Sequence, residues 1–549
     1  MNINTDALWY KDAVFYQLHV RAFRDSNGDG HGDFRGLISK LDYLQELGIG
    51  CIWLLPVYAS PLRDDGYDVS DFYSFHPDNG SVRDFQALLA EAHRRGLRVI
   101  TDLVMNHTSD QHPWFAEARS SRTSPKRNYY VWSATDKKYP DARIIFTDTE
   151  RSNWAYDSAS GEYYFHRFFA HQPDLNYDNP AVQQAMLDVM AYWLDMGIDG
   201  FRADAVPYLY EREGTNCENL PETHAYLKRV RRFMDEHYKD RVLLAEANQW
   251  PEDVRPYFGD GDEFHMAFHF PLMPRLFMAV KKQDSSPIVE ILRRTPDIPA
   301  SCGWCTFLRN HDELTLEMVT PEERDFMWKA YAPQPEMRLN LGIRRRLAPL
   351  LDNDRRKIEL LYSMLFTLPG SPIIYYGDEI GMGDNIALPD RNGVRTPMQW
   401  SAAPCAGFST VPARRTYSSP IIDDPVYGYQ RVNVEAQSQD PESLLSFVRH
   451  IIARRKQHQA LTWGTCQFLD CANRAILSHV RRHEGESILL LHNLSHAEQR
   501  VALDLQDLTG AVPVDILTKK AFAPISEQPY ELVLTPYEHL WLLLEGRQD

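Results

Sequence analysis

Residues 97–107 read LRVITDLVMNH, a short apolar run that ends in polar side chains. The run does not alternate strictly between apolar and polar residues, which is typical of a parallel strand buried on both faces. A helical pattern over Val82–Arg95 precedes it, with Phe85 and Leu88 on one face, and Gly96 ends that helix. This stretch therefore predicts the helix–strand unit from which parallel α/β folds are built.

The same unit recurs along the chain, because helical patterns separate several further apolar runs. One run, Met266–Phe270, is weaker than the others. Eight strand–helix units predict the α/β class and, within it, a closed (β/α)8 TIM barrel. The seven clearer strands are predicted at Ala13–Val20, Gly50–Val57, Leu97–Val104, Gly197–Val206, Arg241–Asn248, Thr306–Asp312 and Ser371–Glu379.

The spacing between the strands is uneven, and the long gaps predict inserted subdomains. These insertions follow the carboxyl ends of strands, which is the face where barrel enzymes keep their active sites. We assign residues 1–106 and 180–459 to the catalytic barrel, domain A, with insertions near 313–355 and 381–424, and residues 107–179 to an inserted domain B.

The pattern changes near Cys466, where strands follow one another without long helices between them. Three strands are predicted in this part, at Ala475–Val480, Ser487–Leu494 and His539–Leu544. We therefore assign residues 460–549 to a separate C-terminal antiparallel β domain.

The overall composition excludes several classes of protein. The 549 residues carry a formal net charge of −17 and no basic tract, so nucleic acid is not an expected partner. The most apolar segment, Ile358–Tyr376, is broken by Pro369 and Pro372, so no membrane span is expected. The N-terminus lacks the basic start and apolar run of a secretory signal, so we expect a cytoplasmic protein. The composition is also compatible with a homo-oligomer.

Seven cysteines are odd in number and sparse over this length, which does not indicate a disulfide framework. Cys302 and Cys305 form a CxxC pair, but no second ligand pair and no helix start accompany them. We interpret them as two small buried residues, with a redox or zinc role as the disfavoured alternative.

Charged side chains end several of the predicted strands, where an unpaired buried charge is costly. Arg202 and Asp204 end the fourth strand, Glu246 the fifth and Asp312 the seventh. Retaining cleavage of a glycosidic bond needs a carboxylate nucleophile and a carboxylic acid that protonates the leaving oxygen. We predict Asp204 as the nucleophile, kept ionised by Arg202, and Glu246 as the acid/base. Asp312 would bind ring hydroxyls and favour the transition state.

The clusters at residues 102–107, 200–204, 246 and 311–312 resemble the four signature regions of the α-amylase family of glycoside hydrolases. Residues 172–176, QPDLN, resemble a fifth region found in the oligo-1,6-glucosidase-like branch. The resemblance extends in order over nearly the whole chain and implies the same three catalytic carboxylates. By the same resemblance, the substrate-binding residues would be Asp64, Tyr67, His107, Gln172, Arg202, His311, Arg391 and Arg395.

Within that family, three longer stretches are most similar to the trehalose synthases: GFRADAVPYL at 200–209, FLRNHDEL at 307–314 and MRLNLGIRRRL at 337–347. Residues 390–400, DRNGVRTPMQW, are shared more widely with related glucosidases. The resemblance implies an isomerase that interconverts the disaccharides maltose and trehalose by retaining intramolecular transglucosylation, with minor hydrolysis to glucose. The inserted segments would keep water away from the covalent glucosyl-enzyme.

Two other functions are compatible with the same fold. An α-glucosidase or oligo-1,6-glucosidase would have the same three carboxylates and would differ only in accepting water instead of glucose. A sugar-binding protein without catalysis would be expected to lack a carboxylate, and this chain keeps all three. The residues themselves therefore leave the choice between isomerase and hydrolase open.

Residues 25–33, DSNGDGHGD, place oxygen ligands at every second position, which suits Ca²⁺. The stretch begins like an EF-hand loop, but Gly36 stands where that loop needs a glutamate, and a solvated turn is the alternative. The family resemblance implies a structural calcium loop with ligands from Asp25, Asn27, Asp29, Asp33 and the carbonyl of His31. It also implies a second structural Ca²⁺ ion and no organic cofactor. The ligands of this second ion would be Asn106, Asp174, Glu211 and the carbonyls of Tyr208 and Leu209.

Overall fold

The computed structural model describes residues 8–411 and 419–545 of the chain. Parts of the predicted insertion near 381–424 and the two ends of the predicted domain ranges lie outside the described residues. Eight parallel strands form a closed barrel: β1 (Phe15–Leu18), β2 (Cys51–Leu54), β3 (Arg98–Val104), β4 (Gly200–Asp204), β5 (Val242–Ala245), β6 (Met266–Phe268), β7 (Gly303–Phe307) and β8 (Ser371–Tyr375). Neighbouring strands follow chain order, and β8 pairs with β1. The predicted barrel is confirmed.

The start of β4 shows how closely two barrel strands approach each other. Gly200 has a φ of +147°, and a Cβ atom built there would lie 2.0 Å from the carbonyl oxygen of Val242 on β5. No side chain fits that space, so glycine is required where β4 and β5 pair. The register then places Arg202 beside Asp102 of β3 and Leu244 of β5.

Helices cover the outside of the barrel. Those of seven or more residues in the described ranges are α1 (Leu41–Leu47), α2 (Val82–Arg94), α3 (Pro113–Ser120), α4 (Pro180–Met196), α5 (Pro221–His237), α6 (Leu272–Lys282), α7 (Ser286–Arg294), α8 (Pro321–Tyr331), α9 (Arg355–Thr367) and α10 (Leu444–Gln457). A capping box between Ser81 and Asp84 begins α2, which confirms the predicted helix to within one residue. No helix in these ranges is both long and apolar enough to cross a bilayer.

The seventh strand lies earlier in the chain than the pattern predicts. β7 spans Gly303–Phe307, whereas the predicted range is Thr306–Asp312. Asn310 and Asp312 lie in a turn after the strand, where the Asn310 side chain accepts a hydrogen bond from the Asp312 backbone N–H at 3.1 Å. The prediction is wrong because it extends the strand to the polar cluster, although the parallel pairs with β6 and β8 reach only Phe307.

Cys302 and Cys305 flank the start of β7. Both side chains are buried, and burial raises the pKa of each thiol. Their environment agrees with the interpretation that they are small buried residues.

Two three-stranded antiparallel sheets follow the carboxyl ends of barrel strands. Between β3 and β4, one sheet is formed by Trp132–Ser133, Trp154–Asp157 and Glu162–Phe165. Between β7 and β8, the other is formed by Leu314–Thr315, Arg338–Leu339 and Gly342–Ile343. Both sheets lie in segments that the strand spacing predicts as insertions.

After α10 the chain forms two antiparallel sheets. Their strands are β9 (Thr465–Phe468), β10 (Ile476–His483), β11 (Glu486–Asn493), β12 (Gln499–Leu503), β13 (Val512–Asp515), β14 (Tyr530–Leu534) and β15 (His539–Glu545). One sheet has the order β9-β10-β11-β15-β13, and β12 pairs with β14. The predicted C-terminal antiparallel fold is confirmed, and β10, β11 and β15 correspond to the three predicted strands.

Candidate active site

A cleft opens at the carboxyl ends of the barrel strands. It encloses about 690 Å³ of empty space, including the part open to solvent, which is within the range of small-ligand pockets. Asp204, Glu246 and Asp312 all line it. The other lining residues are Asp64, Tyr67, His107, Phe146, Phe168, Asn248, Phe270, Asn310, Glu313, Thr315, Glu317 and Arg391.

Arg202 on β4 is the centre of a carboxylate cluster. Its Nη1 atom donates to Oδ1 of Asp102 and to Oδ1 of Asp204, each at 2.5 Å. Its Nη2 atom contacts Oε1 of Glu246. The arginine is buried, so its charge offsets those of the carboxylates that surround it. One guanidinium therefore fixes Asp204 and Glu246 relative to each other.

The two carboxyl groups beside Arg202 differ in their affinity for a proton. Burial raises the pKa of Glu246 to about 8, and the charges of Asp204 and Asp312 add to this effect against Arg202. Burial also raises the pKa of Asp204 to about 6, opposed by Arg202 and by a hydrogen bond with Glu246. At neutral pH this leaves a proton on Glu246 and a negative charge on Asp204. Retaining glycosidic cleavage requires such a pair.

The Asp312 carboxylate accepts hydrogen bonds from two arginines. Its Oδ1 atom lies 2.9 Å from Nη1 of Arg391 and 3.0 Å from Nη2 of Arg395. Its Oδ2 atom lies 3.1 Å from Nε2 of His311. Burial alone would raise the pKa of Asp312, but His311, Arg391 and Arg395 hold it below its usual range. An ionised carboxylate at this position can accept hydrogen bonds from sugar hydroxyls.

The structure brings together most of the predicted substrate contacts. Asp64 accepts hydrogen bonds from Arg391 and from the Gln172 amide, both at 2.7 Å. The Tyr67 ring stacks on His311, with centroids 5.3 Å apart and planes 12° from parallel. Tyr67 thus presents an aromatic ring to the cleft, and an aromatic face suits an apolar sugar face.

Two buried histidines, His107 and His311, lie next to Tyr67, and His107 also lines the cleft. Nε2 of His107 lies 3.2 Å from the carbonyl oxygen of Tyr67 and therefore carries a proton. Nδ1 of His311 accepts a hydrogen bond from the Gln17 amide at 2.7 Å, so its Nε2 atom carries the proton and faces Asp312. Burial lowers the pKa of both rings, so both are neutral donors at neutral pH.

Two family models match this chain. The model of the alpha amylase catalytic domain matches residues 17–331 and 344–464, which include every lining residue of the cleft. The chain belongs to the α-amylase family. The model of the maltogenic amylase C-terminal domain matches residues 466–541, which contain most of the C-terminal sheets.

Members of the α-amylase family resemble this chain over nearly its whole length. Trehalose synthase/amylase TreS of Mycobacterium tuberculosis is 59% identical over 546 residues, which cover 98% of this chain and 91% of that protein. Trehalose synthase of a Pimelobacter species is 58% identical over 549 residues, with 98% and 96% coverage. The oligo-1,6-glucosidase of Parageobacillus thermoglucosidasius is 31% identical over 597 residues, with 97% and 98% coverage.

A solved structure gives the same fold. Trehalulose synthase MutB from Pseudomonas mesoacidophila superposes with a TM-score of 0.78 at 28% identity, covering 98% of this chain and 99% of that chain. A further MutB structure contains the substrate sucrose. This chain therefore shares its architecture with MutB.

Two inserted segments of this α-amylase family member meet beside the cleft. Arg143, between β3 and β4, donates through Nη1 to Oε2 of Glu317, between β7 and β8, at 2.6 Å. Arg143 also donates to Glu218 at 2.8 Å. A second contact joins the same segments, because the Asn340 backbone N–H donates to Asp148 at 2.8 Å. We call the Arg143–Glu317 ion pair the insertion clasp.

Sequence patterns missed several residues that line the cleft. Phe146 and Phe168 belong to the inserted segment, which has no regular periodicity that would indicate which side chains face the cleft. Asn248 and Glu313 lie one or two residues after Glu246 and Asp312. This closeness in sequence could have indicated that they also line the cleft. The Asn248 amide reaches the opposite insertion, where it donates to the Thr315 hydroxyl at 3.3 Å.

The first predicted calcium loop folds back on itself. The side chains of Asp25, Asn27 and Asp29 accept hydrogen bonds from backbone N–H groups of the loop at 2.7 to 3.0 Å. Asp33 accepts one from Gly36 at 2.8 Å and so caps a short helix. In residues 8–411 and 419–545, no group of three or more His, Cys, Asp or Glu side chains is arranged to hold a metal. Calcium in this loop stays a prediction.

The second predicted metal site contains three buried oxygens that lack partners. Oδ1 of Asn106, Oδ2 of Asp174 and Oε1 of Glu211 have no hydrogen-bond partner among the described residues. Burial raises the pKa of Asp174 to about 7 and, with the charge of Asp174, the pKa of Glu211 well above its usual range. Buried oxygens without partners are costly, and hard oxygen donors suit Ca²⁺. These residues fit a Ca²⁺ ion, with the carbonyls of Tyr208 and Leu209 as the remaining predicted ligands.

Proposed function

We propose that this α-amylase family enzyme interconverts maltose and trehalose by intramolecular transfer of a glucosyl group. The observation that carries the proposal is the 58–59% identity to trehalose synthases over 98% of the chain. The oligo-1,6-glucosidase, a hydrolase by name, is only 31% identical over a similar share. The difference favours the isomerase over the hydrolase that shares its carboxylates.

The chemistry follows from the protonation of the carboxylate pair. Asp204 attacks the anomeric carbon of the nonreducing glucose, and the bond from that carbon to the bridging oxygen breaks. Glu246 gives its proton to this oxygen, so free glucose and a covalent glucosyl-enzyme result. Arg202 holds both groups during this step. Asp312 accepts hydrogen bonds from sugar hydroxyls and stabilises the distorted sugar ring.

The second half of the reaction returns both carboxyl groups to their first state. The released glucose turns within the cleft, and its anomeric hydroxyl attacks the glucosyl carbon. Glu246 takes the proton from that hydroxyl, and the bond to Asp204 breaks. Two displacements at one carbon keep the α configuration and give trehalose. Water in place of glucose would give hydrolysis.

The insertion clasp explains how the enzyme would favour glucose over water. Arg143 and Glu317 join two inserted segments whose residues line the cleft, and the pair is only partly exposed. A closed entrance keeps the free glucose inside while excluding solvent from the glucosyl-enzyme. Opening of the same contact would admit maltose and release trehalose.

Incubation of the purified protein with maltose alone tests the proposal. We expect trehalose as the main product, measured by chromatography, with a small amount of free glucose. Trehalose as the substrate should give maltose, because both directions use the same glucosyl-enzyme. Glucose as the main product from maltose, without trehalose, would instead assign the protein as an α-glucosidase.

We further propose one or two structural Ca²⁺ ions. The support is strongest at Asn106, Asp174 and Glu211, whose buried oxygens lack other partners in the described part of the chain. The ion would offset the charges of two buried carboxylates and join β3 to the segments before and after β4. It lies outside the carboxylate cluster, so no catalytic step passes through it. A cytoplasmic location and a homo-oligomer remain predictions from the sequence.

A further inference from the structure

Asp64 and Asp65 are adjacent aspartates with different partners. Asp64 lines the cleft, whereas Asp65 is not among the lining residues and contacts His19, Arg21 and Arg395. We infer that Asp65 is a positioning residue for the reaction, because it holds Arg395 where Arg395 supports Asp312. The inference rests on the proposed function for its assay, although the geometry concerns a carboxylate that isomerase and hydrolase share.

Asp65 binds His19 and two arginines, Arg21 and Arg395, which come from two separate parts of the chain. Its Oδ2 atom lies 2.9 Å from Nε2 of His19 and 3.1 Å from Nη1 of Arg395. Its Oδ1 atom accepts a hydrogen bond from Nη1 of Arg21 at 2.9 Å. Burial alone would raise the pKa of Asp65, but His19, Arg395 and Arg21 hold it well below its usual range. The carboxylate is therefore ionised throughout the working pH range.

Arg395 connects Asp65 to the catalytic turn. Its Nη2 atom donates to Oδ1 of Asp312 at 3.0 Å, and its Nε atom donates to the carbonyl oxygen of His311 at 2.9 Å. All three guanidinium nitrogens are thus engaged, and the group is planar and rigid. The guanidinium is buried with 1% of its residue exposed, so solvent cannot replace a lost partner. Loss of Asp65 would let the plane rotate and carry Asp312 with it.

The backbone at Asp65 limits which substitutions can test this role. Its φ is +52°, in the left-handed region that aspartate and asparagine tolerate better than most residues. Asp65→Asn therefore keeps the backbone and the shape of the side chain while removing the charge. Alanine would add backbone strain to the loss of charge and would confuse the two effects.

A role restricted to loop stability is the alternative to a positioning role. Asp65 stands in a turn between β2 and β3, and its ion pairs stabilise that turn in either case. A stability role would lower the melting temperature and leave the turnover of the folded enzyme unchanged. A positioning role lowers kcat at temperatures where the variant is fully folded.

The test is a double-mutant cycle of Asp65→Asn and Arg395→Gln, with maltose as the substrate. We expect Asp65→Asn to lower kcat by about 10- to 100-fold, because a small misplacement of a catalytic group has an effect of this size. KM should change by less than about threefold, since Asp65 does not line the cleft. In the Arg395→Gln background, Asp65→Asn should cause almost no further loss.

Asp71→Asn is the matched control, because the Asp71 carboxylate accepts local hydrogen bonds, from the Tyr73 backbone N–H and the Ser74 hydroxyl. Its kcat should stay within about twofold of the unchanged enzyme. Equal losses from Asp65→Asn with and without Arg395, or an unchanged kcat, would overturn the positioning role. If the asparagine variant does not fold, Asp65→Gly repeats the cycle, because glycine also accepts positive φ.

The failure of this inference is distinguishable from failure of the proposed function. Trehalose and glucose are both measured in every reaction. If the unchanged enzyme makes only glucose, the isomerase proposal fails, but the cycle is read from the kcat of glucose release. If trehalose forms and the cycle is additive, only the role of Asp65 is rejected.

Discussion

Arg202 touches Asp204 and Glu246 at once, yet the two carboxyl groups hold their protons differently. Burial raises both pKa values, but hydrogen bonds with Arg202 and Glu246 oppose the rise at Asp204, whereas the charges of Asp204 and Asp312 add to the rise at Glu246. The sequence motifs identify these residues by type and by their place after a strand. The closeness of Arg202 and Asp204 on one strand predicts an ionised Asp204, but the extent of the two pKa shifts depends on charges that come from separate strand ends.

The pH dependence of activity should reflect this pair. Asp204 must be ionised, so kcat/KM should fall as the pH drops through about 6. Glu246 must carry its proton, so kcat/KM should fall as the pH rises through about 8. The measurement is the rate of trehalose formation from maltose between pH 4 and about 10, within the range in which the fold persists.

Glu246→Gln provides the control for the upper limb. The amide cannot lose a proton in this range, so the decline near pH 8 should disappear. The remaining activity should be about 10² to 10⁴-fold lower, the usual size of general acid catalysis. A variant that keeps the decline near pH 8 would assign that titration to another group.

Several elements could be predicted because their patterns are local. The apolar runs identify all eight barrel strands, and the spacing of apolar residues with Gly96 after them identifies α2. β7 was misplaced because polar residues of a turn follow its apolar residues directly. The insertion clasp could not be predicted, because Arg143 and Glu317 are distant in sequence and lie in segments without periodicity.

Position 200 of β4 has no room for a side chain. Gly200→Ala should lower the free energy of unfolding by about 3 kcal/mol or more, because its Cβ would overlap the Val242 carbonyl. Gly96→Ala is the matched control, since Gly96 also has a positive φ but has open space around it. Its cost should be about 1 kcal/mol, and thermal or urea denaturation measures both. Equal costs would show that backbone strain alone governs the two positions.

Loss of the insertion clasp should change the ratio of products. Arg143→Ala removes the contacts with Glu317 and Glu218, so the entrance should open and admit water more often. We expect the glucose-to-trehalose ratio from maltose to rise by about two- to tenfold, consistent with loss of one or two charged hydrogen bonds. Chromatography of both products measures the ratio.

Arg151→Ala serves as the control for the clasp, because Arg151 lies in the same inserted segment and donates hydrogen bonds to the nearby carbonyls of Thr147 and Glu150. Its product ratio should match that of the unchanged enzyme. A ratio that is unaltered by Arg143→Ala would mean that another contact excludes water from the cleft.

For the whole molecule, the arrangement of barrel, insertions and C-terminal sheets was predictable from the order of its elements. Metal binding is harder to predict from the sequence. The side-chain oxygens of the first loop accept hydrogen bonds from the loop backbone, whereas buried oxygens of the second cluster have no hydrogen-bond partner among the described residues. Burial of unpartnered oxygens depends on how β3, the inserted segment and the turn after β4 come together. That arrangement exists only in the folded chain.

Removal of Ca²⁺ should therefore lower the stability of the folded protein. A chelator should reduce the melting temperature, and added Ca²⁺ should restore it, with a gain of about 2.7 kcal/mol at a hundredfold excess over Kd. Asp174→Asn should abolish the response, whereas Asp178→Asn, at a more exposed neighbour, should retain it. A melting temperature that is unchanged by both chelator and added Ca²⁺ would exclude a structural calcium ion.

The pairing of β8 with β1 also has a consequence for the synthesis of the protein. Residues near the start of the chain cannot complete the barrel until Tyr375 has been added. At a translation rate of about 5–20 residues per second, this takes roughly 20 to 75 s, during which β1 presents an unpaired edge. We therefore expect the exposed edge of β1 to need protection in the nascent chain, by chaperones or by the helices that form early. Chains truncated before Tyr375 should aggregate instead of folding into an active enzyme.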